Sequence, residues 1–235
     1  MFPKRINKYL ALKGYATRRG ADEIIAKKKV YINGVLAVLG DKVTETDVVE
    51  VRQKVKTSTE YYYFAFHKPV DLLTHAEANK ELDIVSMLPK ELKSLKLFPV
   101  GRLDKNSHGL IILTDDGRIT DRLLNPKYEH EKEYEVKVAK NLRVSFKAKM
   151  EQGVNIEGYV TKPAKVKIIN EREFIITLTE GKTHQIRRMV AALFNEVIDL
   201  KRTSIMNVKL GDLAPGATRT LAGQELAGFL RALGL

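Results

Sequence analysis

The stretch that most constrains this chain runs from Phe98 to Thr114, FPVGRLDKNSHGLIILT. Its end, Gly109 leading into Leu110-Ile111-Ile112-Leu113, is a short apolar run that reads as a buried strand. Its beginning, with Pro99 and Gly101, favours a turn or loop. Between them lies a polar loop holding Arg102, Asp104, Lys105, Asn106, Ser107 and His108. A carboxylate at the mouth of a buried strand, with a cation two residues away, is a candidate nucleophile or general base. An Asp forming an Asx turn before a strand gives the same local pattern, so the choice rests on the rest of the chain.

The length, 235 residues, suits two modest domains or one large one. No apolar run is long enough to span a membrane, and the N-terminus lacks the apolar stretch of a signal peptide. With no Cys there is neither a disulfide framework nor a thiolate metal site, which is compatible with the cytoplasm. The net charge is +12, and its placement is uneven. Up to Lys29 there are nine Lys/Arg against two Asp/Glu, whereas Val30 to Lys56 is balanced. A compact basic unit suggests a polyanion, with RNA or DNA ahead of acidic lipid; a merely solubilising surface would look similar.

In that unit, Ile6, Tyr9 and Leu10 recur at helical spacing, so Arg5 to Lys13 reads as a short amphipathic helix ended by Gly14. Thr17 can cap a second helix with Ala21, Ile24 and Ile25 on its apolar face. Lys4, Lys8, Arg18, Arg19 and Lys27 to Lys29 would lie on outer faces or helix ends, available to phosphates, and Arg5 is a further RNA-binding candidate. Val30-Tyr31-Ile32, Asn33-Gly34 and Val35-Leu36 form a strong hairpin signal, since Asn-Gly accepts the positive φ angles of a type I′ turn. Val48 to Val51 adds a strand, and the polar run Arg52 to Glu60 reads as a linker.

Beyond the linker, strands are expected over 61–66, 131–138, 154–160, 164–169, 174–178, 197–200 and 205–210. Helices are expected over 83–88, 119–124, 142–150, 183–194 and 224–233. Many strands with few βαβ repeats argue for a largely antiparallel α+β domain. Asp115-Asp116-Gly117 reads as a turn rather than a pair of catalytic or metal-binding carboxylates, and a metal site from Asp115, Asp116 and His130 lacks ligand spacing. On the strand after His130, Tyr134 shares a face with Val136 and Val138, as a core aromatic also would.

Two resemblances follow from these motifs. Residues 5–51, with RINKYL, TRRGADE and VYINGV, resemble an S4 RNA-binding domain. Residues 61–223 resemble RsuA-type pseudouridine synthases: GRLDKNSHGLIILT looks like the family's catalytic-Asp motif, HEKEYEV its Tyr motif and EGKTHQIRRM its Arg motif. GVNIEGYVTKPAKVK and KRTSIMNVKL look closest to the RluF branch, which acts on 23S ribosomal RNA. The resemblance implies an S4-type αα-β domain at 1–51, a linker at 52–60, and at 61–235 a synthase domain whose mixed, largely antiparallel sheet is flanked by helices.

It further implies an enzyme that isomerises a flipped-out uridine without metal or cofactor. Asp104 would be the nucleophile, Arg187 would pair with it and hold it oriented, and Tyr134 would stack on the uracil. Arg102 would fill the gap left by the flipped base and Ile186 would line the pocket. Lys182 and His184 would contact phosphate or support their loop, and His108 would be structural. The partner implied is ribosomal RNA, 23S before others, with tRNA a second substrate class, and the enzyme a cytoplasmic monomer. One departure stands out: in His67-Lys68-Pro69-Val70-Asp71, Asp71 replaces a usual Gly, which implies a loop of different shape. A non-catalytic RNA-binding assembly factor with the same fold is the competing reading.

Overall fold

In the computed structural model, residues 2–16, 18–52, 61–76 and 82–235 are described. The expected cap at Thr17 and nearly all of the expected linker lie outside them, as does the side chain of Arg19. The basic N-terminal part contains β1 (Lys4–Arg5), α1 (Ile6–Leu12), α2 (Arg18–Ala26), β2 (Val30–Ile32), β3 (Val35–Leu36), β4 (Lys42–Val43) and β5 (Val49–Val51). It has its own small core, in which Ile6 and Leu10 of α1 meet Ala21 and Ile25 of α2 and Val30 of β2. The helical spacing of those residues is what puts them on facing stripes. The β2–β3 turn has Asn33 at φ 51° and Gly34 at φ 81°, as a type I′ hairpin requires.

The larger part runs β6 (Tyr63–Lys68), α3 (Ile84–Met87), α4 (Lys90–Ser94), β7 (Phe98–Val100), β8 (His108–Thr114), α5 (Ile119–Leu124) and, after a 3₁₀ turn at Pro126–Tyr128, β9 (Lys132–Val138). It continues with α6 (Phe146–Gln152), β10 (Asn155–Ile156), β11 (Tyr159–Val160), β12 (Lys165–Asn170), β13 (Glu173–Leu178), α7 (Gln185–Ala192), β14 (Val197–Ile205), β15 (Val208–Lys209), β16 (Thr218–Thr220) and α8 (Gly223–Ala232). Nine strands form one sheet in the order β12-β13-β9-β14-β8-β6-β16, with β15 beside β14 and β7 beside β8. Every pairing in it is antiparallel except β14 with β8. The α+β class and the predominance of antiparallel pairing are as the sequence implied.

The apolar run of β8 is explained by its position. Leu110 and Ile112 pack with α5 and α8 through Ile119, Leu123 and Phe229. Ile111 and Leu113 face the opposite way, toward Phe64, Phe66 and Ile84. A strand covered on both faces has no use for alternation. Gly109 is required where β8 meets β14: at φ 108°, a Cβ there would come within 2.3 Å of the Arg202 carbonyl oxygen.

Several boundaries differ from the sequence-based expectation. The helix expected over 142–150 begins only at Phe146, because the Leu142 amide donates to Glu171 O and ties that segment to the β12–β13 turn. The strand expected over 154–160 is a two-stranded hairpin, bent by left-handed Glu157 and Gly158. The two strands expected near 197–210 include one continuous nine-residue strand, β14. Bulges at 197–199 and 202–204 break its period of two and hide it from a pattern reading. Strand β7 lies where only a loop was expected, and β16 was missed.

Candidate active site

The loop between β7 and β8 carries Asp104, and almost all of its backbone is held. Gly101, at φ 83°, turns the chain out of β7. Leu103 is buried, its N–H donates to Thr74 Oγ1 at 3.0 Å, and its carbonyl accepts from the same hydroxyl at 2.7 Å. The Ser107 amide donates to Asp104 O at 3.0 Å, closing a turn, and Ser107 is fully buried. The Lys105 carbonyl accepts from Lys68 Nζ at 3.1 Å and from the Asp71 amide at 2.8 Å. Arg202 Nε donates to Leu110 O at 2.7 Å, and its Nη1 reaches Arg102 O at a long 3.5 Å.

Lys68 is the least expected member of this frame. Its side chain is fully buried, and the ammonium also donates to Pro69 O and Leu72 O, each at 2.7 Å. Burial pushes its pKa down to about 8, partly opposed by the charges of Asp71 and Asp104. Asp71 takes the left-handed conformation, φ 61°, that a glycine would adopt freely. An Asp held at that angle costs some local strain. Lys68 lies in the His67-to-Asp71 segment that resembles the family's Lys-Pro motif, but neither it nor Thr74 was assigned a role.

Above this loop opens a cleft of about 1270 Å³. Arg102, Asp104, Tyr134, Lys182, His184 and Ile186 all line it, and so do Lys8 and Arg18 from the N-terminal part. The Asp104 side chain is 31% exposed. Tyr134 stands on β9 opposite Arg202 of β14, half-buried, and packs against the apolar clusters on both sides of it. Ile186 is buried in the first turn of α7. Lys182 is exposed, with its ammonium 4.3 Å from the Tyr159 ring centroid. Arg5 is exposed in β1, away from the cleft lining.

The arrangement of the Arg motif differs from expectation. Arg187 does not form an ion pair with Asp104. Its Nη2 donates instead to Asn106 O at 2.9 Å and Ser107 Oγ at 3.2 Å, and its Nη1 to Val197 O at 3.2 Å. The guanidinium thus braces the loop that bears the carboxylate rather than the carboxylate itself. The cation-capable group nearest Asp104 is His184, with Nε2 3.5 Å from Oδ1. The cause is local. His184 was expected one turn before Arg187 in the helix, but it lies at the helix N-cap with φ 52°, and α7 begins only at Gln185. That left-handed residue turns its imidazole toward the β7–β8 loop.

The loop before α7 is organised by Glu180, which is buried. It accepts from Tyr159 OH at 2.6 Å, the Lys162 amide at 3.0 Å and Gln185 Nε2 at 2.8 Å. It fixes both the β10–β11 hairpin and the entry to α7. Asp116, by contrast, is fully occupied: Arg118 binds it through two nitrogens at 2.8 and 2.9 Å, and Tyr63 OH donates to it at 2.5 Å. Asp115 accepts from the Tyr62 amide. His108 lies on the side of β8 that carries Leu110 and Ile112, between His67 and Asp199. Among the described residues no three His, Cys, Asp or Glu are grouped to hold a metal ion.

Known proteins share this fold. Residues 62–192 match the model of the RNA pseudouridylate synthase family, and residues 4–49 match that of the S4 domain. The chain is 40% identical over 225 residues to the dual-specificity RNA pseudouridine synthase RluF of Salmonella typhi, covering 94% of this chain and 77% of that protein. It is 37% identical to the ribosomal large subunit pseudouridine synthase B of Bacillus subtilis (strain 168), covering 98% and 96%. A solved pseudouridylate synthase superposes with a TM-score of 0.71 at 31% identity, covering 97% of this chain and 99% of that one. With a cleft built around the GRLD loop and matches that span nearly its whole length, the chain belongs to the RNA pseudouridylate synthase family and carries an S4 domain ahead of the synthase fold.

Proposed function

We propose that this protein converts a uridine of 23S ribosomal RNA to pseudouridine, with Asp104 as the nucleophile. The observation that carries the reading is the treatment of Asp104: its backbone neighbours are bonded on each side, while its carboxylate faces a cleft shared with Tyr134. Pseudouridine is an isomer of uridine, so uracil is detached, turned and rejoined through a carbon with no atom gained or lost. Neither an oxidant nor a metal is required. Asp104 supplies the anionic oxygen, and Tyr134 offers a ring for the base and a hydroxyl for proton transfer.

Arg187 acts as a positioning residue, since it holds Asn106 and Ser107 two and three residues beyond the nucleophile. Arg102 is exposed beside the cleft, where a guanidinium plane can take the place of the extruded base and offset part of the few kcal/mol of unstacking. Lys8 and Arg18 extend the cationic lining from the S4 unit to the same cleft. We take 1–51 as the RNA-gripping domain, 52–60 as the linker and 61–235 as the synthase domain, working as a monomer in the cytoplasm. The choice of 23S RNA rests on the likeness to RluF and to the large-subunit synthase. Because the RluF relatives are named dual-specificity, tRNA is the second substrate class to assay.

The test is pseudouridine mapping in 23S and tRNA transcripts treated with the full chain and with Asp104→Asn. One modified uridine in 23S RNA, absent with the variant, is the expected result. Equal yield from the variant overturns the assignment of the nucleophile, and no product from either RNA overturns the reading as an enzyme.

A further inference from the structure

The face of β9 that bears Tyr134 carries a second side chain into the cleft two residues earlier, Lys132. Residues two apart on a strand share a face, so Lys132 and Tyr134 stand side by side. The register puts Arg202 of β14 opposite Tyr134 and Ile205 opposite Lys132, and Arg202 also lines the cleft. Two cations are thus set together in the cleft wall.

Neither has a carboxylate partner among the described residues. Lys132 Nζ donates to His130 O at 3.1 Å, and the charge acting on it is Arg202, which repels it. Arg202 is 4% exposed, and its Nη2 is buried without any hydrogen-bond partner. None of the carboxylates lining the same cleft pairs with Lys132 or Arg202. Asp104 lies with His184, Asp121 with Lys8, Asp83 caps α3, and Glu180 holds Tyr159 and Gln185. Burying like charges together is unfavourable unless an anion completes the group. Lys68, the fully buried lysine, is by contrast completed from within by three carbonyls.

We propose that Lys132, backed by Arg202, is the seat of a backbone phosphate of the RNA, one adjoining the nucleotide that enters the cleft. Resting on the reading of the cleft as an RNA site, this adds a contact that positions the nucleotide beside Tyr134. Lys132 makes the contact; Arg202, whose end is covered, strengthens the local field and is itself held by the Leu110 carbonyl. Burial and Arg202 push the Lys132 amine down to about 8. An arriving phosphate favours the charged form, so binding at pH 8.5 takes up a proton. Affinity therefore falls as pH rises through about 8.

The experiment compares the full chain with Lys132→Met and Lys132→Arg on a 23S RNA transcript. Loss of one phosphate contact lowers the slope of log K against log[salt] by about 0.7–0.9. The Met variant is expected to show that loss, with weaker binding, and the Arg variant to restore the slope. Calorimetry at pH 8.5 in two buffers of different ionisation enthalpy is expected to show proton uptake for the native protein and less for Lys132→Met. An unchanged slope and unchanged uptake in a folded Met variant overturn the phosphate seat. The Arg variant at native slope but with the uptake lost supports it, because a guanidinium stays charged at that pH. Binding is read in the Asp104→Asn background as well, so a failure of the catalytic assignment leaves these outcomes interpretable.

Discussion

Two aspartates flank β8, and the protein uses them in opposite ways. Asp116, after the strand, is fully buried and its carboxylate is consumed by Arg118 and Tyr63. That phenol is shifted upward by burial and by the neighbouring carboxylate. Asp104, before the strand, has its surroundings fixed through backbone bonds to Thr74, Lys68 and Arg187. Its own carboxylate remains 31% exposed. A structural carboxylate spends its lone pairs on the fold. A reactive one is immobilised by everything around it and keeps its oxygens for the substrate. Proximity to a strand end or to a cation does not separate the two; which atoms carry the bonds does.

Matched Asp→Asn changes sharpen that contrast. Asp104→Asn removes the nucleophile and should lower pseudouridine formation by about 10⁴-fold or more, with the melting temperature moved by no more than about 2 °C. A melting temperature lowered as far as that of the Asp116 variant would break the comparison. Asp116→Asn removes the buried charge that holds Arg118 and Tyr63 and should cost about 3 kcal/mol, or roughly 6–10 °C. Turnover below the melting transition should stay within about threefold of native.

Lys68→Met tests whether the frame around Asp104 works through position. Freed carbonyls let the loop shift, and a displacement of about 1 Å is worth roughly 10²-fold in kcat, with KM little changed. This variant has a pH signature too. The folded pKa of Lys68 is about 8 against about 10.4 when unfolded, so between these values the unfolded chain binds more protons and stability rises with pH. Lys132 titrates in the same range, so removing Lys68 should cut that rise by about half. Native slope in the Met variant would show that Lys68 does not titrate there. The smallest effect is expected for His184→Gln. Its pairing with Asp104 is 58% exposed on the His side and 3.5 Å long, which limits the loss in kcat/KM to about fivefold. A loss beyond 10²-fold would make His184 a chemical participant.

How much could be read from the residues alone follows the same division. The β2–β3 hairpin was legible because Asn33-Gly34 carries its own backbone requirement. Strand β8 was legible because burial on both faces leaves an unbroken apolar run. Asp104, Tyr134, Ile186 and His184 were legible through motifs, and the fold gathers them at one cleft. What stayed hidden depends on groups far apart in sequence. Thr74 and Lys68 bond carbonyls near Asp104, and a carbonyl leaves no trace in a side-chain pattern. Arg202 sits beside a bulge that disguises its strand. Arg187 braces the Asn106 carbonyl and the Ser107 hydroxyl rather than Asp104, a choice of acceptor that no side-chain pattern shows.

The parallel register of β14 against β8 joins His108 to Lys201 and Gly109 to Arg202. During synthesis this sets an order of events. A nascent chain that has reached residue 190 already contains Asp104, Tyr134 and Arg187, yet lacks the strand between β8 and β9 that brings their elements together. The amino-terminal unit draws its core from residues 6–43, with Val49 and Val51 packed against it, all before Asp104 in the sequence. Asp104, Tyr134 and Arg187 are thus drawn together by a strand that follows all three in the sequence.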